Sequence, residues 1–208
     1  MPSSTGRGRK RRPERVAEIR HAALSLFHER GFHATSMRDI AARLGLSGPA
    51  LYRHYSSKEE ILRIAIGEHL DAAIDEGQRI TAMASSPQAA VDLLVVAAIR
   101  RVLDNPALAA AAIRDLNQLS PQTRVYLGRV ERQVIEDFVH VVAQVRPDLS
   151  DGEVRLLVRG VVGMIMWTAQ YNSGLSRDLV ETRMREMALS ALLPPTAEIA
   201  DAPRVEGP

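Results

Sequence analysis

Ser36-Met37-Arg38-Asp39-Ile40-Ala41-Ala42-Arg43-Leu44-Gly45-Leu46-Ser47-Gly48-Pro49-Ala50-Leu51-Tyr52-Arg53-His54-Tyr55 reads as two short helices on either side of a glycine turn. Ser36 with Asp39 three residues on forms a near-capping-box start. Ile40, Ala41 and Leu44 make a short apolar stripe that stops at Gly45. Only Leu46 and Ser47 separate that stop from a second helix, Gly48 to about Tyr55. Pro49 is tolerated there because the first turn of a helix has no partner for its missing N–H. Ala41 is small where the second helix must cross the first, and Leu44, Leu46 and Leu51 fill the space between them. Two short helices joined by a tight glycine-containing turn is the helix-turn-helix layout, although an ordinary helical hairpin in a bundle satisfies the same spacing.

The flanks are helical too. Upstream, Val16, Ile19, Ala23, Leu26 and Phe27 recur at three- and four-residue steps from Pro13 onward, and Gly31 is a natural left-handed stop. Residues 1–12 are Gly-, Ser- and Arg-rich without apolar periodicity and read as a flexible basic arm. Downstream the helices lengthen, with expected spans of Lys58 to about Ala84, Gln88 to Leu103, and Pro106 to about Leu119. Pro121 to Val145 follows, then a helix from the capping box Ser150/Glu153 to near Asn172, and a last one from Ser176 to Pro194-Pro195. No strand-type alternation persists and no repeat is visible. The expected fold is all-α with about nine helices: an N-terminal helix-turn-helix domain over 13–60, a helical domain over 61–195, and a disordered tail over 196–208.

Composition narrows the function. The 208 residues are 46% hydrophobic, 25% charged and 4% aromatic, which suits a folded soluble protein. Cysteine is absent, so disulfides, thiolate metal sites and a cysteine nucleophile are excluded, in keeping with a cytoplasmic location. No uncharged apolar run approaches the ~18 residues that span a bilayer, and the basic N-terminus lacks the apolar stretch of a secretory signal. The formal net charge is +2, divided as +6 over residues 1–60 and −4 over the remainder. A basic front on an acidic body points to a polyanion as the partner of the first segment, and a basic tail in solvent gives the same excess.

The stretch Arg30-Gly31-Phe32-His33-Ala34-Thr35-Ser36-Met37-Arg38-Asp39-Ile40-Ala41, then Gly45-Leu46-Ser47 and Leu51-Tyr52-Arg53-His54-Tyr55-Ser56-Ser57-Lys58-Glu59, closely resembles the DNA-binding domain of TetR-family transcriptional regulators. The resemblance covers about residues 14–62 and departs at Tyr55, where that family more usually has Phe. It implies roles position by position. Thr35 and Ser36 are expected to contact phosphates through hydroxyls and N–H groups, Tyr52 to anchor a phosphate, and Lys58 to contact the DNA backbone. Ser47, Gly48, Pro49 and Ala50 open the recognition helix and should face base edges. Arg38 and Arg53 are the best candidates for guanine, with a phosphate contact or a solvated side chain as the alternative, while His54 suits packing or a backbone contact better than base reading. The arm carries enough arginine either to enter a minor groove or to add affinity by counterion release.

The same resemblance implies a ligand-binding and dimerisation domain behind the reading head, with a palindromic operator as DNA partner, a second copy of the chain, and a small-molecule effector of apolar or amphipathic character. The expected mode is repression relieved by the effector. A two-fold dimer sets two half-sites about 34–36 Å apart. Val154, Leu157, Val158, Val161 and Ile165, with Gly160 and Gly163, form a long stripe expected at the dimer interface, joined by Leu179, Met187 and Leu192. Tyr126, Phe138, Met164, Trp167 and Tyr171 gather scarce aromatic and thioether groups and are the expected pocket, with His69, Arg114 and Asn117 as polar contributors. No cofactor or metal is expected: the six histidines form no HExxH pair, and no strand precedes a Gly-rich phosphate loop. The remaining alternatives are an architectural DNA binder without effector control and a small all-α enzyme.

Overall fold

The computed structural model describes residues 12–171 and 173–194; the remainder of the Arg-rich arm and the tail 196–208 lie outside the described residues. Nine α-helices are present among the described residues: α1 (Arg12–Arg30), α2 (Met37–Arg43), α3 (Gly48–Tyr52), α4 (Lys58–Met83), α5 (Pro87–Asp104), α6 (Pro106–Asp115), α7 (Pro121–Val145), α8 (Asp151–Trp167) and α9 (Arg177–Leu192). Serine starts most of them. Ser36 and Ser150 form full capping boxes with Asp39 and Glu153, and Ser47, Ser57, Ser86, Ser120 and Ser176 each accept a backbone N–H from the first turn. Gly31 and Gly45 adopt φ of +86° and +62°, so the two turns around α2 need a residue without a Cβ penalty. The all-α class expected from the sequence is what the structure has.

Three boundaries differ from expectation, the first being α6, which ends at Asp115 and passes into a 3₁₀ turn over Leu116–Gln118. α3 ends at Tyr52, three residues early. α8 ends at Trp167, and a 3₁₀ turn over Thr168–Gln170 follows, with the Thr168 hydroxyl donating to the Ile165 carbonyl at 2.7 Å. That local bond tightens the last turn and diverts the chain before Asn172.

Two apolar cores form. The N-terminal one joins Ile19, Leu26, Phe27, Ile40, Leu51 and Tyr55 of the first three helices and the loop after them to Ile61 and Leu62 of α4. It does not end there: Leu108 and Ala111 of α6 and Leu127 of α7 belong to the same cluster. The second core is built from α5, α7, α8 and α9. No helix among the described residues is long and apolar enough to cross a membrane.

The stripe expected to meet a second copy is corrected by this packing. Val154, Val158, Val161 and Ile165 are buried inside the chain's own second core, with Leu192, and Leu157 packs against it. Two residues along an α-helix amount to about 200°, so the opposite side of α8 carries a different set. Leu156 is 71% exposed and Trp167 62%, and Gly160 and Gly163 lie exposed between them with nothing near a Cβ built on either. On α9, Leu179 and Met187 are exposed.

Candidate nucleic-acid interface

The α2–α3 pair is held from behind and bare in front. Ile40, Ala41 and Leu51 are buried, and Arg43 of α2 makes a two-bond ion pair with Glu29 of α1, with distances of 3.2 and 2.7 Å. That pair lowers the Glu29 pKa and raises the Arg43 pKa, mainly through the hydrogen bonds themselves. Tyr55 closes the motif. Its side chain is buried, its hydroxyl accepts a hydrogen bond from Arg20 Nη1 at 3.3 Å, and burial pushes its phenol pKa upward.

On the open side Arg38, Ser47, Gly48, Pro49, Tyr52 and Arg53 are exposed; Ala50 and His54 are half-buried. Ser47 Oγ accepts the Ala50 N–H at 3.3 Å, which leaves its own proton to donate. The guanidinium groups of Arg38 and Arg53 make no hydrogen bond or ion pair among the described residues. Tyr52 is 57% exposed, a large apolar ring with an unengaged hydroxyl. An exposed aromatic at the end of α3, with exposed guanidinium groups on Arg53 at its C-cap and Arg38 in the first turn of α2, is a surface suited to an anionic backbone.

Three expected roles change. Thr35 is 1% exposed, and its hydroxyl donates to the carbonyls of Gly31 at 2.9 Å and Leu26 at 3.3 Å, so it fastens the turn and does not reach outward. Ser36 stays exposed, but its hydroxyl and its backbone N–H both donate to Asp39 Oδ2, at 2.5 and 2.8 Å. Those bonds lower the Asp39 pKa. Lys58 turns inward: Nζ donates to the carbonyls of Phe32 at 2.6 Å, Thr35 at 2.8 Å and His33 at 3.2 Å. Three donors are met by three acceptors, and none remains for a phosphate.

A cavity of about 460 Å³ lies behind this head, walled by α4 to α8. Its lining is apolar apart from a few side chains, including His69, Arg101, Asp137 and Arg159. Of the five expected pocket residues only Phe138 lines it. Met166, not Met164, lines the cavity, although both pack against the second core. Trp167 and Tyr171 are exposed on the outside, and Tyr126 lies over Gly67 with the Arg63 guanidinium 5.7 Å from its ring. His69 takes its expected place, whereas Arg114 and Asn117 do not line the cavity. Arg101 and Asp137 also line the cavity and were not among the expected polar contributors. Arg101 pairs with Glu76, and burial, then the Arg101 charge, pushes the His69 pKa down to about 4. Gln133 donates to Asp137 Oδ1 at 2.7 Å, while Asp137 Oδ2 is buried without a partner among the described residues.

Polar contacts join head and cavity walls. Arg114, near the end of α6, donates to the Phe27 carbonyl at 2.7 Å. Glu59 Oε1 accepts the Ser120 N–H at 3.0 Å and the Thr123 hydroxyl at 2.7 Å at the start of α7, and these bonds lower its pKa.

Residues 19–64, the segment just described, match the family model for bacterial regulatory proteins of the tetR family. The HTH-type transcriptional repressor Rv3405c of Mycobacterium tuberculosis is 34% identical over 128 residues, 61% of this chain and 64% of that protein. The segment 19–64 is a TetR-family DNA-binding domain. A solved structure with a similar course is the ketosteroid transcriptional regulator KstR2 of M. tuberculosis, at 25% identity and a TM-score of 0.76 over 87% of this chain and 96% of that one. The HTH-type transcriptional activator FasR of Mycolicibacterium smegmatis is 43% identical over 60 residues, 29% of this chain and 27% of that protein. These sequence matches thus stop short of two-thirds of either curated relative's length. Each of the three is named as a transcriptional regulator.

Proposed function

We propose that this chain represses transcription as a homodimer on a palindromic operator, and that a small apolar or amphipathic effector entering the cavity releases it. The observation that carries this reading is the continuity of the N-terminal core. Leu108, Ala111 and Leu127 pack into the core beneath the reading head, and α6 and α7 also wall the cavity. A ligand that shifts those walls shifts the support of α2 and α3. Reversal from 99:1 to 1:99 occupancy requires about 5.5 kcal/mol of differential affinity between the two conformations.

On the DNA, Gly48, Pro49 and Ala50 approach the base edges closely, and Arg38 and Arg53 reach guanine or phosphate. Ser47 and Tyr52 donate to phosphates, with Ser36 beside them at the start of α2. The head spans 13–60 and the ligand-binding and dimerisation domain 61–195. The second copy docks on the exposed side of α8, where Gly160 and Gly163 allow close approach between Leu156 and Trp167, together with Leu179 and Met187 of α9. Such a protein works in the cytoplasm, where its operator is.

Selection of bound duplexes from a random pool tests the reading. Enrichment of a two-fold symmetric sequence that survives competitor DNA supports it; uniform retention of any duplex favours an architectural binder.

A further inference from the structure

Two of the 27 Lys and Arg residues are lysine: Lys10 in the arm and Lys58 at the first turn of α4. Arginine serves every other basic position. The surroundings of Lys58 supply a physical reason for the exception. Three carbonyls of one short turn, those of Phe32, His33 and Thr35, converge on Nζ at 2.6, 3.2 and 2.8 Å. The ammonium also stands 4.6 Å from the centre of the Phe32 ring. An ammonium directs three donors tetrahedrally from one atom, whereas a guanidinium presents a planar fork; only the former meets three acceptors clustered around a point.

The turn needs that help. Between Gly31 and Ser36 its own backbone supplies one bond, Thr35 N–H to the Phe32 carbonyl at 3.3 Å. Phe32 and Thr35 are both buried, so carbonyls left unmet beside them carry a desolvation cost. Ser36, the cap that starts α2, follows at once.

We propose that Lys58 is a positioning residue: its ammonium pins the Phe32–Thr35 turn, so fixing where α2 starts and how the α2–α3 pair is presented, and it makes no contact with DNA. Its effect on DNA binding rests on the reading above; the pin itself is a property of the free protein.

Having two lysines makes the test specific. The full wild-type chain is treated with an amine-acetylating reagent, with and without a mixed-sequence duplex, and the rates at Lys10 and Lys58 are read by peptide mass spectrometry. Lys58 in free protein should react roughly tenfold or more slowly than Lys10, since acetylation requires the turn to open. Adding duplex should leave the Lys58 rate unchanged. A Lys58 that reacts as fast as Lys10 when free and is shielded by duplex overturns the proposal and restores a phosphate contact.

Lys58→Arg and Lys58→Met supply the second measurement, at a temperature where circular dichroism shows both fully folded. The pin predicts that both lose duplex affinity alike, with the slope of log affinity against log salt unchanged. Retained affinity in Lys58→Arg, with a slope smaller by about 0.9 per lost contact in Lys58→Met, refutes it. Wild-type protein that binds no duplex sinks the DNA-binding reading instead, while slow acetylation of free Lys58 still upholds the pin.

Discussion

The reading head and the cavity-bearing body solve opposite problems with the same set of helices. In the head, short elements are positioned by polar side chains whose partners are accounted for: Lys58 on three carbonyls, Thr35 on two, Arg43 on Glu29. In the body, long helices are held by valine and leucine, and a polar atom, Asp137 Oδ2, is left unmet beside a cavity. Helices of seven and five residues cannot be stable by their own backbone bonds, so the head must be braced from outside. Longer helices keep their shape around a void. The head is thus built to present a fixed surface, and the body to tolerate a change of contents.

Large-to-small substitution separates the two most sharply. Leu51→Ala, at a fully buried position in the thin head core, should cost about 3–4 kcal/mol and abolish duplex binding. Met166→Ala, at the cavity wall, should cost less, because the space it vacates adjoins one already open. Equal losses of thermal stability for the two would break the comparison.

Acid should act on the body. His69 stays neutral in the folded chain to about pH 4, whereas in the unfolded chain it takes up a proton near 6.5. Between those values the unfolded state binds more protons, so stability is full above pH 6.5 and declines as pH falls toward 4, by on the order of 3 kcal/mol. Replacing His69 with Gln should flatten that decline in urea melts collected across the window; a profile identical to wild type would contradict the burial argument.

Matched caps come next. Ser36→Ala and Ser150→Ala remove the same capping box from head and body, each at about 1 kcal/mol. Only the first should weaken duplex affinity at a temperature where both variants are folded. The smallest effect runs the other way. Asp137→Asn relieves a buried, half-met carboxylate and should leave stability unchanged or raise it by up to about 1 kcal/mol; a drop in melting temperature would mean the free oxygen has a partner.

The head was the more legible region in sequence because its constraints are local. Gly31, Gly45, the Ser36/Asp39 box and Ser47 lie within a few residues of what they control, so type and spacing expose them. Residue roles were less legible where a side chain acts across the fold. Thr35 and Lys58 look like outward-facing polar groups until tertiary packing shows the carbonyls they meet, 4 to 26 positions away in sequence. In the body, periodicity located α8 and its apolar stripe yet could not say whether that stripe faces the chain's own core or another molecule. The structure gives it to the core. The pocket followed aromatic content in the sequence reading, and aromatic content misled, since Trp167 and Tyr171 stand outside while small aliphatic residues such as Ala73, Ala98 and Ala112 surround the void.

The placement of Trp167 changes what an optical experiment on this protein measures. It is the sole indole in the sequence, and it projects from the outer side of α8, away from the cavity lining. Its intrinsic emission therefore reports on whatever shields that ridge from water. If copies pair over that ridge as proposed, dilution should shift the spectrum to the red, while a titrant filling the interior should leave the colour of the light nearly constant.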